Sequence, residues 1–347
     1  MKKLFFGGIY LVAVLISGSC KKLTPQDRDT IDPAATFLTT TFSPILGRNY
    51  IARGAFSSGE SSLPMDFEII NVRRFNGEPA PELTEDIYPV TVWKSTGAGA
   101  YTGEEKSIDE IEQKRTTENH RILEMRRSSG DIVVWGSVNT SKLITRPDSG
   151  YRFDVKVSNS GATRYFYNLR FMPYKPVPHE PHNYNLNTGM TSNPALTSGV
   201  SGISMSNFFR RRDNTAMSAS EVDVYFNKLS SDGNSLTFKF LDSAYAPINP
   251  KLFNSTDWEH LVHGFGMQLT DTEVKYTVAY PIPLTQFPTR FTNANGTRAQ
   301  VAFSYYRLGA GGVGVTATLG FNFAIYQKGD WEIAFHFKTT SPKFTDD

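Results

Sequence analysis

The stretch Val315-Thr316-Ala317-Thr318-Leu319-Gly320-Phe321-Asn322-Phe323-Ala324-Ile325 alternates along its whole length. Val315, Ala317, Leu319, Phe321, Phe323 and Ile325 are apolar, while the residues between them begin Thr316, Thr318, Gly320, Asn322. A period of two marks an extended strand with one buried face, because successive side chains leave the backbone on opposite sides. The pattern resumes beyond Gln327-Lys328-Gly329-Asp330, where Trp331, Ile333, Phe335 and Phe337 oppose Glu332, His336 and Lys338. We read the two runs as a hairpin. Ala299, Val301, Phe303 and Tyr305 precede it after an Asn295-Gly296 turn, so the C-terminus is expected to be a three-stranded antiparallel meander.

The same alternation runs outward from there. Val222-Val224-Phe226 and Leu236-Phe238-Phe240 flank a Ser231-Asp232-Gly233 turn, and Val274-Tyr276-Val278-Tyr280 adds another strand. The first half shows Leu63-Met65-Phe67-Ile69, Val90-Val92, Tyr151-Phe153-Val155-Val157 and Tyr165-Tyr167-Leu169-Phe171. There the turn Ser128-Ser129-Gly130-Asp131 joins residues 122–126 to 132–135. Only Ser107 to Thr116 reads as helix, with Ile108 and Ile111 inward. The expected class is all-β, with two antiparallel β domains, because short strands punctuated by turns suit sandwiches and barrels. For the second domain a sandwich and a barrel-like meander both remain open.

Boundaries follow from breaks in the pattern. Residues 1–19 read as a signal peptide, 20–34 as a tether, 35–176 as the first domain and 199–345 as the second. Residues 177–198 between them are Pro- and Asn-rich, and the prolines of Pro173-Tyr174-Lys175-Pro176-Val177-Pro178-His179-Glu180-Pro181 argue against a central strand.

The N-terminus gives the location. Lys2 and Lys3 precede an apolar run from Leu4 to Ile16, too short to span a bilayer comfortably, followed by the small residues Ser17, Gly18 and Ser19. Cys20, the single cysteine of the chain, comes next. The run Ile16-Ser17-Gly18-Ser19-Cys20-Lys21-Lys22 resembles the relaxed lipobox of Bacteroidota lipoproteins. That resemblance implies cleavage before Cys20, lipidation of its sulfur and amine, and anchoring at the outer membrane, since more than one acyl chain holds a protein stably. The cell surface is the expected side, with the periplasmic face the other. A cleaved secretory peptide that carries Cys20 by accident is the alternative to the lipoprotein reading.

Loss of residues 1–19 removes two lysines and leaves 34 bases against 34 acids. A neutral mature chain has no field to draw nucleic acid, and its one dense basic cluster, Arg210-Arg211-Arg212, reads as a solvated loop. With Cys20 acylated no thiol remains, which removes disulfides, thiolate zinc sites and cysteine nucleophiles.

The first domain resembles the immunoglobulin-like modules of Bacteroidota surface lipoproteins in Ser128-Ser129-Gly130-Asp131-Ile132 and in Gly150-Tyr151-Arg152-Phe153-Asp154-Val155-Lys156-Val157-Ser158-Asn159. The whole chain is similar to uncharacterised two-domain lipoproteins of Bacteroides relatives, some of which accompany glycan-import systems. The resemblance implies an immunoglobulin-like sandwich and a part in nutrient acquisition. It supplies no catalytic residue.

Several fragments look like chemistry until their setting is read. Gly309-Ala310-Gly311-Gly312-Val313-Gly314 fits a dinucleotide fingerprint, yet a strand follows where pyrophosphate binding needs a helix. His260-x-x-His263 and His179-Glu180-Pro181-His182 carry metal-ligand side chains without a zinc-site pattern, and isolated histidines are the simpler reading. No cofactor and no metal are expected. Gly59-Glu60-Ser61-Ser62-Leu63 lacks the second glycine of a nucleophile elbow. Paired carboxylates of a glycosidase cannot be read from spacing in a sandwich.

Sugar binding requires exposed aromatic faces. Trp331 shares the apolar phase of its strand and Trp135 ends an apolar run, so both read as core. Trp93 lies opposite in phase to Val90 and Val92, Trp258 sits among Asp257, Glu259 and His260, and Tyr184 lies among asparagines. These three are the candidate glycan contacts, with packing against their own domain as the plainer alternative. Asp29-Thr30-Ile31 and Asp242-Ser243-Ala244 resemble Bacteroidota O-glycosylation triplets, which makes Thr30 and Ser243 candidate modification sites. The expected function is non-covalent binding to a glycan or an outer-membrane partner. An adhesin or scaffold that binds protein is the second reading and a glycan-cleaving enzyme the third.

Overall fold

The computed structural model describes residues 30–94, 100–136, 140–191 and 202–345; Cys20 and the signal lie outside the described residues. Among these the regular structure is nearly all strand, with two short α-helices. The first half runs β1 (Thr36–Phe37), β2 (Thr41–Phe42), β3 (Tyr50–Ala52), β4 (Phe56–Ser57), β5 (Asp66–Arg74), helix α1 (Pro81–Thr84) and β6 (Tyr88–Trp93). Helix α2 (Ile108–Gln113), β7 (Arg115–His120), β8 (Leu123–Met125), β9 (Ile132–Val134), β10 (Tyr151–Ser158) and β11 (Thr163–Phe171) complete it.

Sheet β2-β11-β10-β5 packs on sheet β3-β9-β8. Phe153, Val155 and Val157 of β10, Phe171 of β11 and Phe67 of β5 share one core with Leu123, Ile132 and Val134 of the other layer. Each such side chain contributes about 1.5–3 kcal/mol by leaving water, and the pairing of two such faces makes a sandwich. The turn read at Ser128–Asp131 joins β8 to β9 as an antiparallel hairpin. Gly130 there has φ 71°, and a Cβ on it would come 2.8 Å from a ring carbon of Phe67.

Strands β6 and β7 form a separate ribbon. Helix α2 precedes β7, its start capped by Ser107, whose hydroxyl accepts the Glu110 amide at 3.1 Å. Ile111 is fully buried. The helix stops at Gln113, short of the expected Thr116, because Thr116 and Thr117 pair with Val92 and Thr91 of β6.

The second half contains β12 (His179–Glu180), β13 (Ile203–Ser206), β14 (Val222–Ser230), β15 (Ser235–Leu241), β16 (Gly264–Leu269), β17 (Val274–Val278), β18 (Ala299–Leu308), β19 (Gly314–Ile325) and β20 (Asp330–Phe337). One layer has the order β14-β20-β15-β17-β16. In the other, β18 pairs one edge of β19 while β13 and β12 share its opposite edge. This half is a sandwich.

The expected hairpin of residues 315–325 with 331–337 is corrected by this topology. Strand β19 and strand β20 lie in opposite layers, and Phe321 meets Phe335 across the core with centroids 5.6 Å apart. Their odd-numbered residues are apolar because they face each other, which an alternating pattern cannot distinguish from adjacency. Strand β20 also separates β14 from β15, so the Ser231-Asp232-Gly233 turn does not close a two-stranded hairpin. The β15–β20 and β2–β11 pairings are parallel. Asp330 locks the start of β15 by accepting the Ser235 amide at 3.1 Å and its hydroxyl at 2.6 Å.

Residues 177–198, expected as a connection, begin as structure of the second half: Val177 is buried, and His179 and Glu180 pair with Ile325 and Ala324. Contacts between the halves gather here. Arg48 binds Glu180, donates to the Tyr326 hydroxyl at 3.0 Å and lies 4.0 Å from the centroid of that ring. Arg298 reaches the other carboxylate oxygen of Glu180 at 3.0 Å.

Candidate functional site

The outward face of β5, β10 and β11 carries the most exposed aromatic pair of the first half. Tyr165 and Tyr167 are 46% and 64% exposed, with centroids 6.2 Å apart and rings inclined by 17°. Both were expected on the inward face. The reversal comes from a bulge: Val155 pairs with Phe166 and Phe153 with Leu169, so Asp154 opposes both Tyr167 and Asn168. Asn168 takes φ 60°, one extra residue shifts the phase, and Phe166 turns inward in place of the tyrosines. The missed signal was the asparagine itself, which tolerates the left-handed region better than other non-glycine residues.

A second bulge on β5 places Asn71 at φ 52° on the other side of Asp154. The Asp154 carboxylate thereby accepts from the Asn168 amide at 2.8 Å, Asn71 Nδ2 at 3.1 Å and both Nη atoms of Arg73 at 3.3 Å. Burial opposes its charge, but these donors outweigh it and hold the carboxyl below its ordinary value. Arg73 also donates to Asn168 Oδ1 at 2.8 Å. The tyrosines therefore stand on a braced segment of sheet, with Lys156 and Arg170 on strands of the same face. Such a surface offers ring faces for apolar stacking and fixed donors beside them.

The residues proposed from sequence lie elsewhere and apart. Trp93 stacks on Tyr101 at 4.9 Å and carries the Arg115 guanidinium 4.8 Å from its ring. Trp258 is half-buried against Phe303 at 5.8 Å. Tyr184 meets His179 edge-on at 5.8 Å. Trp331 is buried in the core, while Trp135 is half-buried, stacked on His120 at 4.3 Å and bonded to Glu124 at 3.0 Å. Thr30 and Ser243 are exposed. Arg210 of the basic triplet is engaged by Glu221, at 2.8 and 2.6 Å.

A small cavity lies where the Tyr101 segment docks on the second half. Val278, Ile282, Leu284 and Phe291 line it with Tyr101 and His263, and its interior of about 20 Å³ holds one water-sized guest. His263 Nε2 donates to the Glu105 carbonyl at 2.9 Å, which leaves Nδ1 to accept the Tyr101 hydroxyl at 2.5 Å. Burial lowers the pKa of His263, consistent with a neutral ring. Burial also opposes the charge of Glu105, but Lys114 at 2.6 Å and the Thr102 amide bring its pKa to about 2. These groups are satisfied by one another and aim at no guest. Among the described residues no cluster of three metal-ligand side chains occurs, and His260 is paired with Asp257 at 3.0 Å.

A family model described as Domain of unknown function (DUF5007) matches residues 56–346. The chain belongs to this family. The match takes in the second half from its first strand onward and the strands β5, β10 and β11 of the tyrosine face, and begins after β2 and β3 of the first sandwich. No curated protein matches. Among solved structures the chain is similar to Sidekick-1 immunoglobulin domains 1-4, at 10% identity over 89% of this chain and 74% of that one, with a TM-score of 0.13. A likeness of that size bears on neither fold nor function.

Proposed function

We propose that the protein is a lipid-anchored cell-envelope lipoprotein that binds a glycan without cleaving it, as an accessory to nutrient acquisition. The observation that carries the reading is the exposed Tyr165–Tyr167 pair beside the Asp154–Arg73–Asn168 network. Sugar C–H faces stack on such rings and hydroxyls bond to fixed polar groups. The lipobox-like Cys20 would place this face at the outer membrane, on the cell surface. Nucleic acid is not among the proposed partners, and no catalytic residue is proposed.

A glycan array with the full chain tests binding, and Tyr165→Ala with Tyr167→Ala should abolish it while leaving the melting temperature nearly unchanged. Retained glycan binding by the double variant would move the site elsewhere. The anchor is tested separately: Cys20→Ala should lose palmitate incorporation, and equal labelling of both forms would remove it. A second reading, an adhesin or scaffold for a protein partner, is favoured by one feature: the tyrosines lie on an open sheet face rather than in a cleft. Capture of a purified outer-membrane protein by the wild type but not the tyrosine variant, with a blank array, would select that reading.

A further inference from the structure

The inward row of β18 runs Ala299, Val301, Phe303, Tyr305 and then, where another apolar residue belongs, Arg307. Arg307 is 7% exposed. A guanidinium keeps its charge at any pH a protein survives, and charged side chains are almost never buried without a partner. Among the described residues Arg307 has no carboxylate. Its Nη1 donates to the Leu308 carbonyl at 3.1 Å, and its guanidinium carbon lies 4.7 Å from the Phe209 ring centroid. The Nε atom is buried and bonds to nothing.

Two positions earlier on the same face, the fully buried Tyr305 also has a hydroxyl without a partner. Its ring is fixed by Phe208 at 5.2 Å and Phe344 at 4.8 Å. Two unsatisfied donors and one uncompensated positive charge thus lie on one strand face, carried by residues whose backbone positions are about 7 Å apart. That is the complement of a small anion.

The geometry selects among anions. With Nη1 turned to the Leu308 carbonyl, the Nε edge is the one left free, and that planar edge matches a carboxylate. One negative charge balances one guanidinium, whereas a phosphate dianion would bury a second charge with no second cation to balance it. We propose that Arg307 and Tyr305 form a binding site for a carboxylate group, entered from the β18–β19 tip where Leu308 and Val313 are 44% and 64% exposed. The carboxylate belongs to a small organic acid or to an acidic sugar. The site is independent of the tyrosine face.

Thermal unfolding of the full chain, at fixed ionic strength with chloride exchanged for acetate or glucuronate and with glucose as the neutral control, tests it. Acetate and glucuronate should raise the melting temperature by ~2 °C or more, and glucose should not. A response to glucuronate alone assigns the acidic sugar, and a response to both assigns the carboxylate as such. Arg307→Met should abolish the response and, without added carboxylate, be at least as stable as the wild type, since a buried charge without a partner has been removed. Tyr305→Phe should fold normally and weaken the response about tenfold. Equal melting in acetate and chloride, or a response that survives Arg307→Met, overturns the proposal. Asp346 and Asp347 follow Phe344 closely in sequence. If acetate acts only after both are changed to Asn, the counter-charge is internal and the proposal of an added ligand fails.

Discussion

Tyr101, from the first half of the chain, donates its hydroxyl to Nδ1 of His263 in the second at 2.5 Å. The bond is possible because the other ring nitrogen is committed to the Glu105 carbonyl, which fixes the tautomer. One hydroxyl therefore ties the segment ahead of α2 to the second sandwich.

Tyr101→Phe keeps the ring on Trp93 and leaves a buried nitrogen without a donor. The expected loss is about 1–3 kcal/mol, read by urea denaturation. An unchanged midpoint would show that water replaces the hydroxyl without cost.

His179 is 4% exposed, stacked on Phe226 at 4.1 Å, and burial, partly offset by its bond to the Pro181 carbonyl, pushes its pKa down to about 4. In the unfolded chain the imidazole titrates near 6.5, so between these values the unfolded state binds the proton first. The stability this residue contributes is complete above pH 6.5 and is lost as pH falls toward 4, on the order of 2–3 kcal/mol. Unfolding free energies at pH 7.5 and 5 should differ less in His179→Asn, whose amide can still donate to Pro181. An undiminished difference would assign the acid sensitivity to other groups, such as His182 and His263, whose pKa values burial also lowers.

The bulge that turns the tyrosines outward depends on one backbone angle. Asn168→Gly retains the left-handed conformation and should cost about 1 kcal/mol for the lost bond to Arg73. Asn168→Val strains that conformation and should cost about 2 kcal/mol or more. Thermal melts order the two, and a Val variant as stable as the Gly variant would contradict the bulge.

The tryptophans sort by burial. Trp331→Ala should cost about 3–5 kcal/mol. Trp93→Ala and Trp258→Ala, both half-buried, should cost less yet measurably, and leave glycan binding intact. Loss of binding in either, with the fold preserved, would return the site to the positions chosen from sequence.

Much of the fold was legible because strand periodicity survives any topology. The runs at 151–157, 222–226, 274–278, 299–305, 315–325 and 331–337 are all strands, and Gly130 marks a real hairpin. What the pattern could not carry was pairing. An apolar row in β20 reads the same whether its neighbour is β19 or, as found, β14 and β15. The tyrosine face was hidden by a single inserted residue, since Tyr165, Tyr167, Leu169 and Phe171 alternate perfectly in sequence and only the bulge divides them. Arg307 was hidden differently: it falls in phase with an apolar row, and one charge at a strand end reads as the place where burial stops.

The central position of β20 also sets an order of events on the ribosome. Strands β14 and β15 are made roughly a hundred residues before the strand that lies between them. Until residues 330–337 emerge, β14 has no ladder partner, β15 has only β17, and the layer cannot close. Such long-range pairing is slow to form. A growing chain would complete its first sandwich and carry the second unfinished until residues 330–337 are made, so β20 is the keystone of the sheet.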